Sequence, residues 1–367
     1  MANKQQEQKF FQTIVQDLGQ FVHDLFSGNF FSSIRQDFSD LKEYYLTRDL
    51  QTRLERMGKI RRALFIFFWL LKYSILKLSS FRRILLLVAL FFLLTARSNP
   101  SSEQQRLIFG VFLLLLIIIL ELKDKLLARE ELEAGRSVQQ ALQPQSSPVV
   151  PGWDLWLYTR SANEVGGDLL DFISISHGLS GIAIGDVSGK GLPAALLMAK
   201  LQATLRALVG ESGSLAELAS RINRIYHRDT QANTFASLLY LELKPDKDEV
   251  LFVNAGHMPP ILCSGDDLKE LAKGDPALGI MREAEYKEQK IKLNTGDMLF
   301  LYSDGLTDAR DEAGHFFEDR RIFEILRNVK DMPAASAGRK ILDTINRFER
   351  NAKLNDDLSM AVVRRTA

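Results

Sequence analysis

The stretch "EVGGDLLDF", Glu164 to Phe172, decides how the C-terminal part of this chain is read. Two adjacent glycines run into Asp168, and Asp171 follows inside an apolar run. Carboxylates so placed repel one another and resist burial, so each requires a compensating protein cation or metal ion. The surrounding texture is that of short strands. "WDLWLYT", "LLDFISIS", "SGIAIGDV", "FASLLYLEL", "EVLFVNAG", "GDMLFLYSDG" and "LSMAVVRR" are β-prone runs separated by turn residues such as "SHGLS" and "KPDKDE". "LPAALLMAKLQATLRALV", with Pro193 in its first turn, reads as a helix, as do "SLAELASRINRIYHR", "RRIFEILRNV" and "AGRKILDTINRFER". Strands in adjacent pairs, with helices inserted in blocks, predict an α+β class with a mostly antiparallel sheet.

Aspartates recur at the ends of these strands. "IAIGDVSGKG" supplies Asp186, "LFLYSDGLTDA" supplies Asp304 and Asp308, and "NDDLSMAVV" supplies Asp356 and Asp357. One Asp-Gly strand end is adequately read as turn chemistry. Four, each joining an apolar strand to a small-residue turn, point to a shared site. Carboxylates gathered at low dielectric repel by several kcal/mol each, roughly, without a cation. Lys190 is the nearby cation by sequence, and one lysine cannot balance four acids. Oxygen-only donors suit Mg²⁺ or Mn²⁺ rather than zinc. The chain has no HExxH, and His23, His177, His227, His257 and His315 are scattered. Two such ions about 3.5–4 Å apart would clamp a phosphorus centre and activate a bridging water, leaving no need for a protein nucleophile.

The totals remove other classes. With 47 basic against 46 acidic side chains in 367 residues, no overall field points to nucleic acid. A single cysteine, Cys263, excludes a disulfide framework and a cysteine-rich zinc site. Lys269 stands where a cysteine phosphatase needs its phosphate-gripping arginine. "GDVSGKG" misses the phosphate-loop spacing, because Ile184 replaces its first glycine and Gly191 follows Lys190. "GGD" without its own acidic layout is not a diguanylate cyclase hairpin.

Residues 1–60 lack a secretory signal and carry helical apolar stripes, Phe11 to Leu25 and Phe31 to Tyr45, broken at Gly28 and Asn29. Residues 61–121 predict a membrane-associated region. "ALFIFFWLL" (63–71) reads as interfacial, and a helical hairpin near 82–97 and 106–121 spans the bilayer, joined by "RSNPSSEQQ". Arg61, Arg62, Lys72, Lys77, Arg82 and Arg83 before it, and Lys123 and Lys125 after it, put both ends in the cytoplasm. Residues 121–143 read as a linker helix able to pair with itself, and "PQSSPVVPG" (144–152) as the domain boundary before a unit at 150–367.

Taken in order, "EVGGDLLDF", "GDVSGKGLPAALLMAKLQATLRAL", "NAGHMPPIL", "LYSDGLTDA" and "DDLSM" resemble the SpoIIE/RsbU-type branch of the metal-dependent PPM (type 2C) serine/threonine phosphatases. The resemblance covers about residues 121–365, including "ELEAGRSVQQALQPQ", which is similar to the regulatory linker ahead of such domains. It implies a PPM-type α-β-β-α sandwich, two Mn²⁺ or Mg²⁺ ions, and hydrolysis of phosphoserine or phosphothreonine by a metal-activated water. Asp168 falls at the first acidic metal position and Asp186 at the bridging carboxylate, followed by the Val187 carbonyl. Asp304 matches the acid of the "DG" motif and Asp356 the first acid of the final pair. Asp186 and Asp304 are the implied catalytic acids; Asp171 and Asp357 support them. Ser161 and Asn163 stand where relatives carry a proline and a basic residue, which leaves Arg160 as the candidate phosphate-binding arginine. His257 reads as a loop or packing residue, and Thr307 and Asp308 as turn supports. The implied whole is an enzyme anchored at the inner membrane with its catalytic domain in the cytoplasm. Its expected partners are a phosphoprotein substrate such as an anti-sigma-factor antagonist, the membrane, and a second copy paired through the linker helix. The alternative is an inactive phosphatase fold acting as a membrane-tethered scaffold.

Overall fold

Alternate side chains of "WDLWLYTR" enter two different cores. Leu155 and Leu157 pack with Leu170, Ile182, Leu239 and Leu301, whereas Trp156 packs with Phe300, Ile341 and Ile345. A strand buried on both faces reads as a continuous apolar run, and successive side chains of any strand face opposite ways. The computed structural model describes residues 57–95, 103–175, 178–231, 234–245, 247–352 and 354–366. It divides into two units, Met1–Asp124 and Lys125–Ala367.

In the second unit, strands β1 (Trp153–Arg160), β2 (Asp168–Ser174), β3 (Ser180–Val187), β4 (Ala236–Leu243), β5 (Glu249–Ala255), β6 (Ile261–Ser264), β7 (Asp267–Glu270), β8 (Glu288–Lys292), β9 (Met298–Tyr302) and β10 (Leu358–Arg365) form two sheets. Their orders are β1-β10-β9-β6-β7 and β2-β3-β4-β5-β8, and the paired strands run antiparallel. The sheets face each other through the core that holds Leu155, Ile184, Leu241, Phe252 and Val363.

Helices cover both outer faces. Numbering follows the chain, so α1 to α3 are Lys59–Lys77, Ser80–Thr95 and Glu103–Leu142; α4 (Leu192–Leu208) and α5 (Leu215–Asp229) follow, then α6 (Asp319–Val329) and α7 (Ala334–Glu349). α4 and α5 bury Met198, Leu201, Leu205, Ile222 and Tyr226 on the β2–β8 sheet. α6 and α7 bury Ile322, Leu326, Ile341 and Ile345 on the other. A Cβ at Gly338 of α7 would lie 2.0 Å from the Trp156 ring, so a glycine lets this helix seat against the sheet. The four layers are the α-β-β-α sandwich that the family resemblance implies, and the antiparallel pairing is what the strand and helix pattern predicts. β6, β7 and β8 were not expected. They are four or five residues long, and β7 and β8 are charged edge strands, so they lack the apolar alternation that marks the others.

In the first unit, α2 and the start of α3 pack antiparallel. Gly110 lets α3 approach Leu93 and Ala89, Phe92 meets Phe109 edge-on, and Arg82 donates to Glu121 and Asp124. The helical packing of the expected hairpin is therefore present, and its bilayer-spanning role is not supported. Among the described residues no helix is long and apolar enough to cross a membrane. The 16 residues of α2 extend about 24 Å against an apolar thickness of about 30 Å, and in α3 the apolar run stops at Glu121. α3 also runs unbroken through the segments expected as a second span and a separate linker helix, ending at Leu142 just before Pro144. The stripes expected over 10–56 and the loop at 97–102 lie outside the described residues.

Candidate active site

Asp168 opens β2 and stands opposite Asp186 in the antiparallel register with β3. Asp304 follows β9 and Asp356 precedes β10, so the other sheet contributes the second pair. Ser303 joins the sheets by donating its hydroxyl to Asp168 Oδ2 at 2.8 Å while accepting from the Ser359 N–H. All four acids predicted from the sequence thus meet at one end of the sandwich.

Their electrostatics are those of crowded, unneutralised carboxylates. Burial, and then the charges of Asp186 and Asp357, push the Asp168 carboxyl far above the ordinary range. Burial, with Asp304, Asp356 and Asp357 behind it, raises Asp186 to about 7. Asp304 is raised by burial of its carboxyl and by Asp356 and Asp308, although the residue as a whole opens to solvent. Lys190 places Nζ 2.9 Å from Asp356 Oδ2 and from the Asn355 carbonyl. Burial opposes its charge, and the hydrogen bond and charge of Asp356 outweigh that opposition, so the ammonium sits above its usual value.

The glycines that flank the acids are explained by space. A Cβ on Gly166 would come within 2.5 Å of Asp357 Oδ2, and one on Gly305 within 1.8 Å of the Asp357 carbonyl oxygen. Asp357 uses that closeness: its two oxygens accept from the N–H groups of Ala162 (2.7 Å) and Gly167 (2.6 Å). It thereby clamps the loop that delivers Asp168. A Cβ at Gly167 would sit 3.1 Å from the Val187 carbonyl oxygen and 3.3 Å from Asp186 Oδ1.

Asp171, the second acid of the opening stretch, is compensated by protein. It is fully buried and takes a bidentate pair from Arg206 of α4, both contacts 2.7 Å. Thr307 donates to the Asp304 carbonyl and the Asp308 N–H bonds the same oxygen, as turn supports do. Arg160 is not available for phosphate. Its guanidinium is held by Asn346 and by both oxygens of Glu349 on α7. His257 is buried with Nδ1 2.8 Å from the Ser237 hydroxyl, which in turn accepts from the Asp186 N–H. Burial lowers its pKa to about 4, so the ring is neutral near pH 7 and acts by packing.

Ser303, Ser237 and Gln139 carry no signal in the sequence that marks them as part of the site. Ser303 is an uncharged residue at the end of the apolar run before Asp304. Gln139, on the α3 segment within this unit, donates Nε2–H to the Gly166 carbonyl at 2.8 Å and accepts from the Gly166 N–H at 3.1 Å. Nothing in its spacing distinguishes it from Gln140 or Gln143.

The donor set fits a hard divalent cation. The four carboxylates and the Val187 carbonyl are oxygen donors, the acids gain by exchanging protons for a cation, and Gly167 leaves open the space beside Val187 and Asp186. Among the described residues no three His, Cys, Asp or Glu side chains are already drawn together as ligands of one ion.

Fold and site together define a phosphatase of the PP2C class. The family model described as Stage II sporulation protein E (SpoIIE) matches residues 176–366, more than half of the chain, and the chain belongs to that family. The phosphoserine phosphatase RsbU of Bacillus subtilis (strain 168) is 28% identical over 239 residues, covering 65% of this chain and 70% of that protein. Among solved structures, the SiaA-PP2C domain of Pseudomonas aeruginosa shares the fold with a TM-score of 0.58 at 20% identity, covering 66% of this chain and 98% of that one. The RsbU and RsbW domains of a Mycobacterium tuberculosis protein align with a TM-score of 0.52 at 25% identity, covering 61% of this chain and 64% of that one.

Proposed function

We propose that this chain is a divalent-metal-dependent protein serine/threonine phosphatase that removes phosphate from a cytoplasmic signalling regulator. The observation that carries this reading is the meeting of Asp168, Asp186, Asp304 and Asp356 at one end of the two sheets, with carboxyls raised by burial and by one another. Asp168, Asp186, the Val187 carbonyl, Asp304 and Asp356 would hold two Mn²⁺ or Mg²⁺ ions. Bound there, such ions supply charge neutralisation at the phosphoryl oxygens and a water acidic enough to attack near neutral pH.

The chain's own residues do the rest. Ser303 fixes the Asp168 rotamer, Asp357 fixes the loop before it, and Ser237 with neutral His257 holds the Asp186 backbone. Lys190 is the cation at the mouth of the site, since Arg160 is committed to α7, and it steadies a phosphoryl oxygen. The phosphoserine activity in the name of the RsbU relative supports a phosphoprotein substrate. An anti-sigma-factor antagonist is the substrate class that the family resemblance favours.

The first unit is the proposed anchor. Leu87, Phe91, Leu94, Ile108 and Phe112 are more than half exposed on α2 and α3, a surface suited to the lipid interface. It would lie in that interface at the inner membrane rather than cross it, with the catalytic unit in the cytoplasm. The 125–142 segment of α3, which grips Gly166 through Gln139, is the proposed regulatory lever and self-pairing surface.

The test is hydrolysis of a phosphoserine peptide and of p-nitrophenyl phosphate by the full chain, with Mn²⁺ and with EDTA. Metal-dependent turnover of both is expected. No turnover and no Mn²⁺ uptake would leave the inactive scaffold.

A further inference from the structure

Between Asp304 and Asp356 in the chain, α6, α7 and the 310–317 hairpin enclose a cleft of about 710 Å³. Its floor is apolar and aromatic. Phe317 and Phe348 meet edge-on, and the Arg321 guanidinium lies 4.8 Å from the Phe348 ring centre. Arg347 and Arg350 line the same cleft, and all three arginines are exposed.

Three carboxylates and three arginines line this cleft, and they differ in whether their polar atoms are already bonded. Its acids are engaged: Asp311 accepts from the Ala313 and His315 N–H groups and from the His315 ring, Glu324 pairs with Arg320, and Glu312 accepts from Asn351. Arg321, Arg347 and Arg350 have no carboxylate partner among the described residues. The cleft therefore presents unspent guanidinium donors over an aromatic floor, which complements an acidic peptide with apolar side chains.

The cleft is also within reach of the chemistry. Asn351, which bridges its rim to Glu312, lies five residues before Asp356, at most about 18 Å of extended chain. We propose that this cleft docks an acidic segment of the phosphoprotein substrate while its phosphoserine occupies the metal site. The proposal rests on the phosphatase reading for its second half only; the docking itself does not require turnover.

The test uses the full chain and synthetic peptides in which a phosphoserine is separated by six glycine or serine residues from four glutamates, in either order. Matched peptides carry four glutamines or four lysines instead. Fluorescence anisotropy of the unphosphorylated forms reads docking alone. The glutamate peptide should bind at least about tenfold tighter than the glutamine peptide, and the lysine peptide should not bind. The Arg347→Ala/Arg350→Ala variant, which spares the Arg321–Phe348 stack, should lose that preference, as should Arg321→Ala. In turnover, both variants should raise KM for the phosphorylated glutamate peptide with kcat kept, and leave p-nitrophenyl phosphate unchanged. Equal binding of the glutamate and glutamine peptides, or undiminished binding by both variants, overturns the docking cleft. Preferential binding without hydrolysis of any ester keeps the cleft and overturns the phosphatase reading.

Discussion

Asp168 and Asp186 stand directly opposite each other on adjacent antiparallel strands, and both carboxyls are held well above their ordinary pKa. An antiparallel pair places facing side chains about 4.5–5.5 Å apart at Cβ, and like charges so placed destabilise the sheet. The arrangement costs stability in the protein alone, and the proposed cations would offset that cost.

A pH dependence follows. Asp186 titrates near 7 when folded and near 3.9 when unfolded, roughly, so its folding contribution is full at low pH and is lost as pH rises through 7. His257, lowered to about 4, works oppositely: its contribution is present above about 6.5 and is lost as pH falls. His257 is not among the proposed ligands, so comparing melts with and without metal at each pH reads the acids. Mn²⁺ should raise Tm markedly at pH 8 and little at pH 5.5, as read by thermal melts. Equal shifts at both pH values would contradict the assignment.

Arg206→Ala should be costly although Arg206 is itself partly exposed. It strands the fully buried Asp171 without its bidentate partner, and breaking such a pair costs about 3–5 kcal/mol. Chemical denaturation should show this loss, and Asp171→Asn in the same background should recover part of it.

Gly305→Ala drives a Cβ into the Asp357 carbonyl, so backbone must move. Overpacking of this kind costs about 3 kcal/mol, or a Tm lower by about 6–12 °C. Gly167→Ala meets its neighbours at 3.1–3.3 Å and should fold nearly as well while binding Mn²⁺ more weakly.

Gln139→Ala removes both hydrogen bonds between the 125–142 helical segment and Gly166. Loosening the support of a metal-ligand loop should weaken apparent Mn²⁺ affinity about tenfold with little change in Tm. An unchanged Mn²⁺ requirement would count against the lever.

Much of this site was legible in the chain because its chemistry is local. Each acid ends an apolar strand, and "GGD" and "DG" record places where a side chain would strike Asp357 or crowd Val187. What could not be read was the partner of each group. Arg206 lies 35 residues beyond Asp171, and Glu349 lies 189 beyond Arg160, so folding alone shows that one acid is satisfied by protein and one arginine is withdrawn from phosphate. The bilayer-spanning expectation finds no support among the described residues for a different reason. Apolar composition marks both segments, whereas spanning also depends on helix length, and the apolar run of α3 ends at Glu121.

The most direct measurement is a calorimetric titration of Mn²⁺ into the full-length chain at pH 8, wild type beside Asp186→Asn. Two equivalents should bind wild type, and the variant should lose at least one of them and its phosphoserine hydrolysis while remaining folded. No saturable uptake by wild type, or an identical isotherm for the variant, would contradict the account.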